Sequence, residues 1–176
     1  MKILTTGGLG YIGSHTVIAL LEAGHEVVIL DNLANASRKV LARLEQITGR
    51  SVAFVEGDVR DRSMLQRLFA EHDFDAVIHF AGLKAVGESV ALPLKYYDNN
   101  VTGSLVLMEE MAKAGVFQLV FSSSATVYGD PEVVPLTESS PAGNTSNPYG
   151  TSKYMVECMM RDVAAADARW SMVVLR

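Results

Sequence analysis

Short apolar runs alternate with longer amphipathic stretches along the chain, and that alternation predicts the fold. KILTT (2–6), EVVIL (26–30), VAFVE (52–56), AVIHF (76–80), QLVFS (118–122) and SMVVL (171–175) read as six strands. They are rich in β-branched residues and largely continuous in apolar character, as strands covered on both faces should be. The intervening periodicity predicts helices near 12–23, 37–48, 62–72, 92–114 and 148–168, with Gly24 and Gly115 where helix C-caps are expected. Strand–helix alternation implies right-handed crossovers and an α/β fold built on a doubly wound parallel sheet. Residues 130–148, rich in Pro, Ser, Thr and Gly, form the longest irregular stretch, of the kind that is functional or mobile.

Composition narrows the function classes. With 176 residues, 49% hydrophobic and 20% charged, the chain reads as one domain over 1–176 with a substantial core. No apolar run is long enough to span a bilayer, and the opening KILTT is too soon broken by glycine to be a signal peptide. A single cysteine, Cys158, permits neither an intramolecular disulfide nor a cysteine zinc site, and fits a reducing cytoplasm. The four histidines show no metal spacing, and His79, inside a strand, reads as a satisfied core residue. A net charge of −5 argues against nucleic acid as a partner, so any bound phosphate must be held by backbone amides.

TTGGLGYIGSHT, between the first strand and first helix, supplies such amides. Gly8, Gly10 and Gly13 satisfy G-x-G-x-x-G, and Gly7, Gly10 and Gly13 satisfy G-x-x-G-x-x-G. Early glycines permit the tight turn, Gly10 admits a pyrophosphate to the backbone, and Gly13 lets the helix approach the sheet. The helix N-terminus then offers free N–H groups and partial positive charge. Asp31 closes the second strand at the place of an acid that binds an adenosine ribose and repels a 2′-phosphate, favouring NAD over NADP. Arg38 and Lys39 lie near enough to favour the opposite choice, or are simply a solvated helix start. GDV (57–59) and the Ala81–Gly82 pair follow strands three and four, where open sheets bind ligands; ordinary turn chemistry explains each equally well taken singly.

NPYGTSK (147–153) raises a different question. Asn147 is a good N-cap and Pro148 suits the first helical position, so Tyr149 falls in the first turn with Lys153 one turn above. A phenol titrates ordinarily near about pH 10, so service as a base near neutrality asks for ~4 kcal/mol of help. The helix dipole offers about 0.3–1 kcal/mol, and an ammonium ~4 Å away roughly 4. Lys153 is therefore the main lever. SSSATVYG (122–129) adds hydroxyls at the end of the fifth strand; Ser122 to Ser124 either face the same crevice or satisfy loop backbone.

Taken together, GGLGYIGSHT, FAGLKAVGESV (80–90), YYDNNV (96–101), SSSATVYG and the Y-x-x-x-K helix resemble the extended short-chain dehydrogenase/reductase family, and within it the nucleotide-sugar C4 epimerases, over essentially the whole chain. The resemblance implies a Rossmann-type NAD domain and a UDP-sugar substrate oxidised and re-reduced at C4. Tyr149 would be the base, Ser124 the hydrogen-bonding partner of the 4-oxygen, and Lys153 the residue that binds the nicotinamide ribose and assists Tyr149. By the same likeness Tyr11 and Ile12 belong to the phosphate turn, Asp31 and Asn32 to the adenosine ribose, and Asp58 and Val59 to the adenine. Phe80, Ala81, Gly82, Lys84 and Asn99 would line the cofactor. The positions where dehydratase relatives carry an Asp–Glu pair hold Ala125 and Thr126, which disfavours elimination of water.

Family members continue with a second half that encloses the sugar, so the chain reads as the cofactor portion of such an enzyme, with little turnover by itself. Another nucleotide-sugar epimerase or dehydrogenase is an alternative within the family. A non-catalytic NAD sensor or scaffold is the alternative from another class; the intact Ser124, Tyr149 and Lys153 set tells against it. Helices 92–114 and 148–168 resemble those that pair in family homodimers, although Leu105, Met108, Met155 and Met159 read more simply as core.

Overall fold

The computed structural model describes residues 1–176. Six strands, β1 (Lys2–Thr6), β2 (Glu26–Asp31), β3 (Ala53–Glu56), β4 (Ala76–His79), β5 (Gln118–Ser122) and β6 (Ser171–Leu175), form one sheet in the order β3-β2-β1-β4-β5-β6. Every pairing is parallel, with Lys2 opposite Glu26 and Ile3 opposite Ala76. The chain runs outward in one direction from β1 and, after crossing over to β4, outward in the other. This makes a doubly wound α/β sheet whose direction switches between β1 and β4.

Helices α1 (Tyr11–Glu22) and α2 (Lys39–Thr48) cover one face, where Leu9, Val17, Leu21, Ile29 and Leu44 form a core layer. Helices α3 (Arg62–Glu71), α6 (Gly103–Ala114) and α7 (Pro148–Ala166) cover the other, where Leu65, Leu107, Met111, Phe121 and Met160 form a larger one. Gly115 ends α6 in the left-handed region, φ 76°, and Gly24 follows the α1 cap Ala23 with φ 83°.

Three expectations need correction. The helix expected over 92–114 is broken. A short α4 (Val86–Ala91) precedes it, α5 (Pro93–Tyr96) restarts at the proline, and a π-helical turn, Tyr97–Thr102, leads into α6. Leu92, ahead of Pro93, leaves the helical region (φ −132°, ψ 59°), as the proline ring demands. Second, β3 and β6 are not covered on both faces. They are the sheet edges, and β6 alternates, with Val173 and Leu175 exposed. Third, Leu105 and Met155 are largely exposed; only Met108 is buried, with Met159 packed partly against the core.

Candidate functional site

The crevice opens where the sheet reverses, between the loops that leave β1 and β4, and encloses about 290 Å³. Gly7 has φ +68°, and its N–H donates to Leu30 O at 2.8 Å. A Cβ at Gly7 would fall 2.6 Å from Ala81 N, and one at Gly13 would fall 2.3 Å from Gly7 O. Both loops thus approach at glycine-only distance. The α1 cap, Gly10, carries no side-chain hydrogen bond, so the first amides of α1 face the crevice without a partner. This cradle of bare backbone and unpaired N–H groups fits a dinucleotide diphosphate. Gly7, Gly10, Tyr11, Ile12 and Gly13 all line it.

At one end the Asp31 carboxylate is already at work: Oδ2 accepts Leu9 N–H at 3.1 Å and Oδ1 accepts Leu33 N–H at 2.9 Å. It ties the glycine turn to the end of β2 while still lining the crevice with Asn32. Asn32 Nδ2 donates to Asp58 Oδ2 at 2.9 Å, and Arg60 grips both Asp58 oxygens. Hydrogen bonding from Arg60 holds the Asp58 carboxyl well below the usual carboxylate range. Asp58 is not among the lining residues and acts from behind Asn32, whereas Val59 lines the crevice. Arg38 is engaged elsewhere, bonded to Glu56 and stacked 5.3 Å from the Phe54 ring centroid. Its competing claim for a 2′-phosphate is weakened accordingly.

At the other end lie Phe80, Ala81, Gly82, Lys84, Asn99, Tyr149 and Lys153. Asn147 caps α7 by accepting Gly150 N–H at 2.9 Å, with Pro148 in the first turn, so Tyr149 and Lys153 share a face. Tyr149 packs with Leu83 and Tyr96, and its hydrogen bonds are backbone ones, leaving the phenol free toward the crevice. Lys153 Nζ donates to Ser122 O at 2.9 Å and lies 4.6 Å from the Phe121 ring centroid. Ser124 is placed differently from the other candidates. It does not line the crevice but caps the short 3-10 turn Ala125–Tyr128, accepting Thr126 N–H at 3.2 Å and the Thr126 hydroxyl at 2.9 Å. Its own hydroxyl proton remains available to donate.

Burial lowers Lys153 from its ordinary 10.5 to about 8. Between those values the unfolded chain holds a proton that the folded chain has lost, so stability rises with pH. From pH 8 to pH 10 the gain from this residue is about 2 kcal/mol. Urea titrations of the parent and Lys153→Met across that range are expected to differ in slope by that amount; parallel profiles would contradict the burial.

Several residues complete the site in roles that only the fold reveals. Ser89 of α4 accepts Tyr149 N–H at 3.1 Å. Asn100 of the π-helical turn bonds Leu83 N–H (2.8 Å), Leu83 O (3.0 Å) and Ser152 Oγ (3.0 Å). These contacts join segments 17 to 60 residues apart. Leu30, Ala34–Ala36, Gly57, Leu83, Ser122 and Ser123 also line the crevice.

Comparison with known proteins agrees with this geometry. The model of the NAD dependent epimerase/dehydratase family matches residues 3–176. The chain is 66% identical over 175 residues to the UDP-glucose 4-epimerase of Neisseria meningitidis serogroup B, covering 99% of this chain and 52% of that protein. It is 62% identical to that of Haemophilus influenzae, over 100% of this chain and 52% of the relative. Among solved structures, the Bifidobacterium longum UDP-glucose 4-epimerase in complex with NAD+ and UDP superposes with a TM-score of 0.99 at 54% identity, covering 100% of this chain and 52% of that one. The Campylobacter jejuni UDP-Glc/GlcNAc 4-epimerase superposes at 0.94 with 40% identity, over 99% and 52%. The chain spans about half the length of the curated relatives it matches.

Proposed function

Because the chain belongs to the NAD dependent epimerase/dehydratase family, we propose that residues 1–176 form the NAD-binding domain of an enzyme that interconverts UDP-galactose and UDP-glucose. The observation that carries this is the free Tyr149 phenol in the crevice, one turn below the buried Lys153 ammonium and beside a glycine cradle. Gly7, Gly10, Tyr11, Ile12 and Gly13 would hold the diphosphate of NAD, Asp31 and Asn32 the adenosine ribose, and Val59 the adenine edge, with Asp58 bracing Asn32 from behind. Phe80–Gly82, Lys84, Asn99 and Lys153 would flank the nicotinamide end. Bound NAD supplies a reversible two-electron acceptor.

The residues of the chain manage the proton. Tyr149 takes the proton of the sugar 4-hydroxyl as that carbon is oxidised and returns it on reduction. Ser124, its lone pairs engaged by Thr126, donates its hydroxyl proton to the same oxygen. Lys153, itself buried, supplies positive charge one turn from the phenol. Ala125 and Thr126 offer no acid–base pair for eliminating water, which sets this reading apart from dehydration. A homodimer through α5–α7 belongs to the same proposal, supported by exposed Leu94, Leu105 and Met155 on those helices.

Calorimetric titration of the chain with NAD+ and with NADP+ tests the cofactor assignment. Asp31 faces the adenosine end, so NAD+ is expected to bind at least about tenfold more tightly, or ~1.4 kcal/mol. Asp31→Asn is expected to narrow the difference. Equal affinities, or no binding by a folded chain, would overturn the assignment.

A further inference from the structure

A buried carboxylate stands beside the crevice with no part in the proton chemistry. Glu157 lies one turn beyond Lys153 and two beyond Tyr149 on α7, so the three share a helix face. It is 8% exposed, and a carboxylate is held at such a place only by strong partners. Glu157 Oε1 accepts the Ser123 hydroxyl. Arg176 holds both oxygens, with Nε 3.2 Å from each and Nη2 2.6 Å from Oε2. The same guanidinium lies 5.1 Å from the Tyr128 ring centroid and donates to the Tyr128 hydroxyl at 3.1 Å.

One ion pair therefore grips the segment after β5 at two points, Ser123 and Tyr128, with Ser124 between them. Ser123 N–H also donates to Leu175 O at 2.7 Å, and the preceding carbonyl, Ser122 O, receives the Lys153 ammonium. We propose that Glu157, braced by Arg176, is a positioning residue that sets the Ser122–Ser124 turn against Lys153 and Tyr149. This rests on the reading of Ser124, Tyr149 and Lys153 given above. It gives a role to a pair that would otherwise only hold the end of β6 to α7.

The ε-carbon resonance of 13C-labelled Lys153 reports the position of that turn without turnover. The groups around Lys153 are His79 from β4, the Phe121 ring from β5, and Tyr149 and Glu157 on its own helix. Ser123→Ala preserves every charge and removes only the link from Glu157 to the turn. If the link positions Ser122 O, its loss weakens the hydrogen bond to the ammonium and lowers the Lys153 midpoint by about one pH unit. Glu157→Gln is expected to lower it at least as far. A shift in Glu157→Gln alone would show a through-space charge effect and overturn the proposal. So would unchanged midpoints in both variants accompanied by reduced stability toward urea, the result for a purely structural pair. NAD+ titration of the same samples keeps the two readings apart. A shifted midpoint in a chain that binds no NAD+ would support positioning while counting against the function proposed above.

Discussion

Between pH 6.5 and 4.5 the folded chain is expected to lose about 2 kcal/mol of stability through His79 alone. His79 is 2% exposed, and both ring nitrogens are bonded, Nδ1 to Thr6 Oγ1 at 2.6 Å and Nε2 to Ser104 Oγ at 2.9 Å. Ser104 gives its proton to Asn100 O at 2.6 Å, so it accepts from Nε2–H, and Nδ1 must accept from the Thr6 hydroxyl. Thr6 Oγ1 in turn accepts Ala81 N–H at 3.3 Å. A second proton on Nδ1 would face a donor in a site already holding the Lys153 charge. Burial first, and Lys153 second, push His79 from its ordinary 6.5 down to about 3. The folded state therefore stays neutral over this range while the unfolded chain takes up a proton, and stability falls as pH falls below 6.5. Urea unfolding at pH 6.5, 5.5 and 4.5 should show an uptake approaching one proton that His79→Gln lacks. Equal slopes in the two proteins would contradict the tautomer and the network. The upper part of this range precedes the titration of Asp58, whose carboxyl Arg60 holds low.

That network also shows what a linear reading reaches and where it stops. The six strands, the glycine turn and the Asn147-capped Tyr149–Lys153 helix were legible because each depends on residues close in sequence, and strand–helix alternation implied that the strands run parallel. Apolar runs specify strands, bare glycines a tight approach, and one-turn spacing a shared face. The reading failed where distant partners decide. Helix α4 has only six residues and includes Gly87, so local propensity does not announce it; Ser89 and Tyr96 pack it in place. The π-helical turn that presents Asn99 and Asn100 lies inside a stretch with ordinary helical periodicity. Glu157 reads as one more polar helix residue until Ser123, 34 positions earlier, and Arg176, 19 later, are brought to it. Half-exposed β3 and β6 follow from sheet order, which apolar content alone does not give.

Replacing Tyr149 by phenylalanine is the most direct test of the proposed chemistry. The substitution removes one hydroxyl from a ring packed by Leu83 and Tyr96, so the packing that holds the ring is preserved. The backbone bonds to Ser89 and Ser152 are untouched as well. What disappears is the group proposed to accept and return the sugar's proton. General acid–base catalysis of this kind contributes about 10²–10⁴-fold, or roughly 3–5 kcal/mol of barrier. The measurement is the interconversion of UDP-galactose and UDP-glucose by the polypeptide that carries these 176 residues, with NAD+ affinity determined on the same samples. Turnover is expected to fall by about 10²-fold or more in Tyr149→Phe while NAD+ affinity is unchanged. A variant that keeps its NAD+ and epimerises within about tenfold of the parent would show that Tyr149 is not the base.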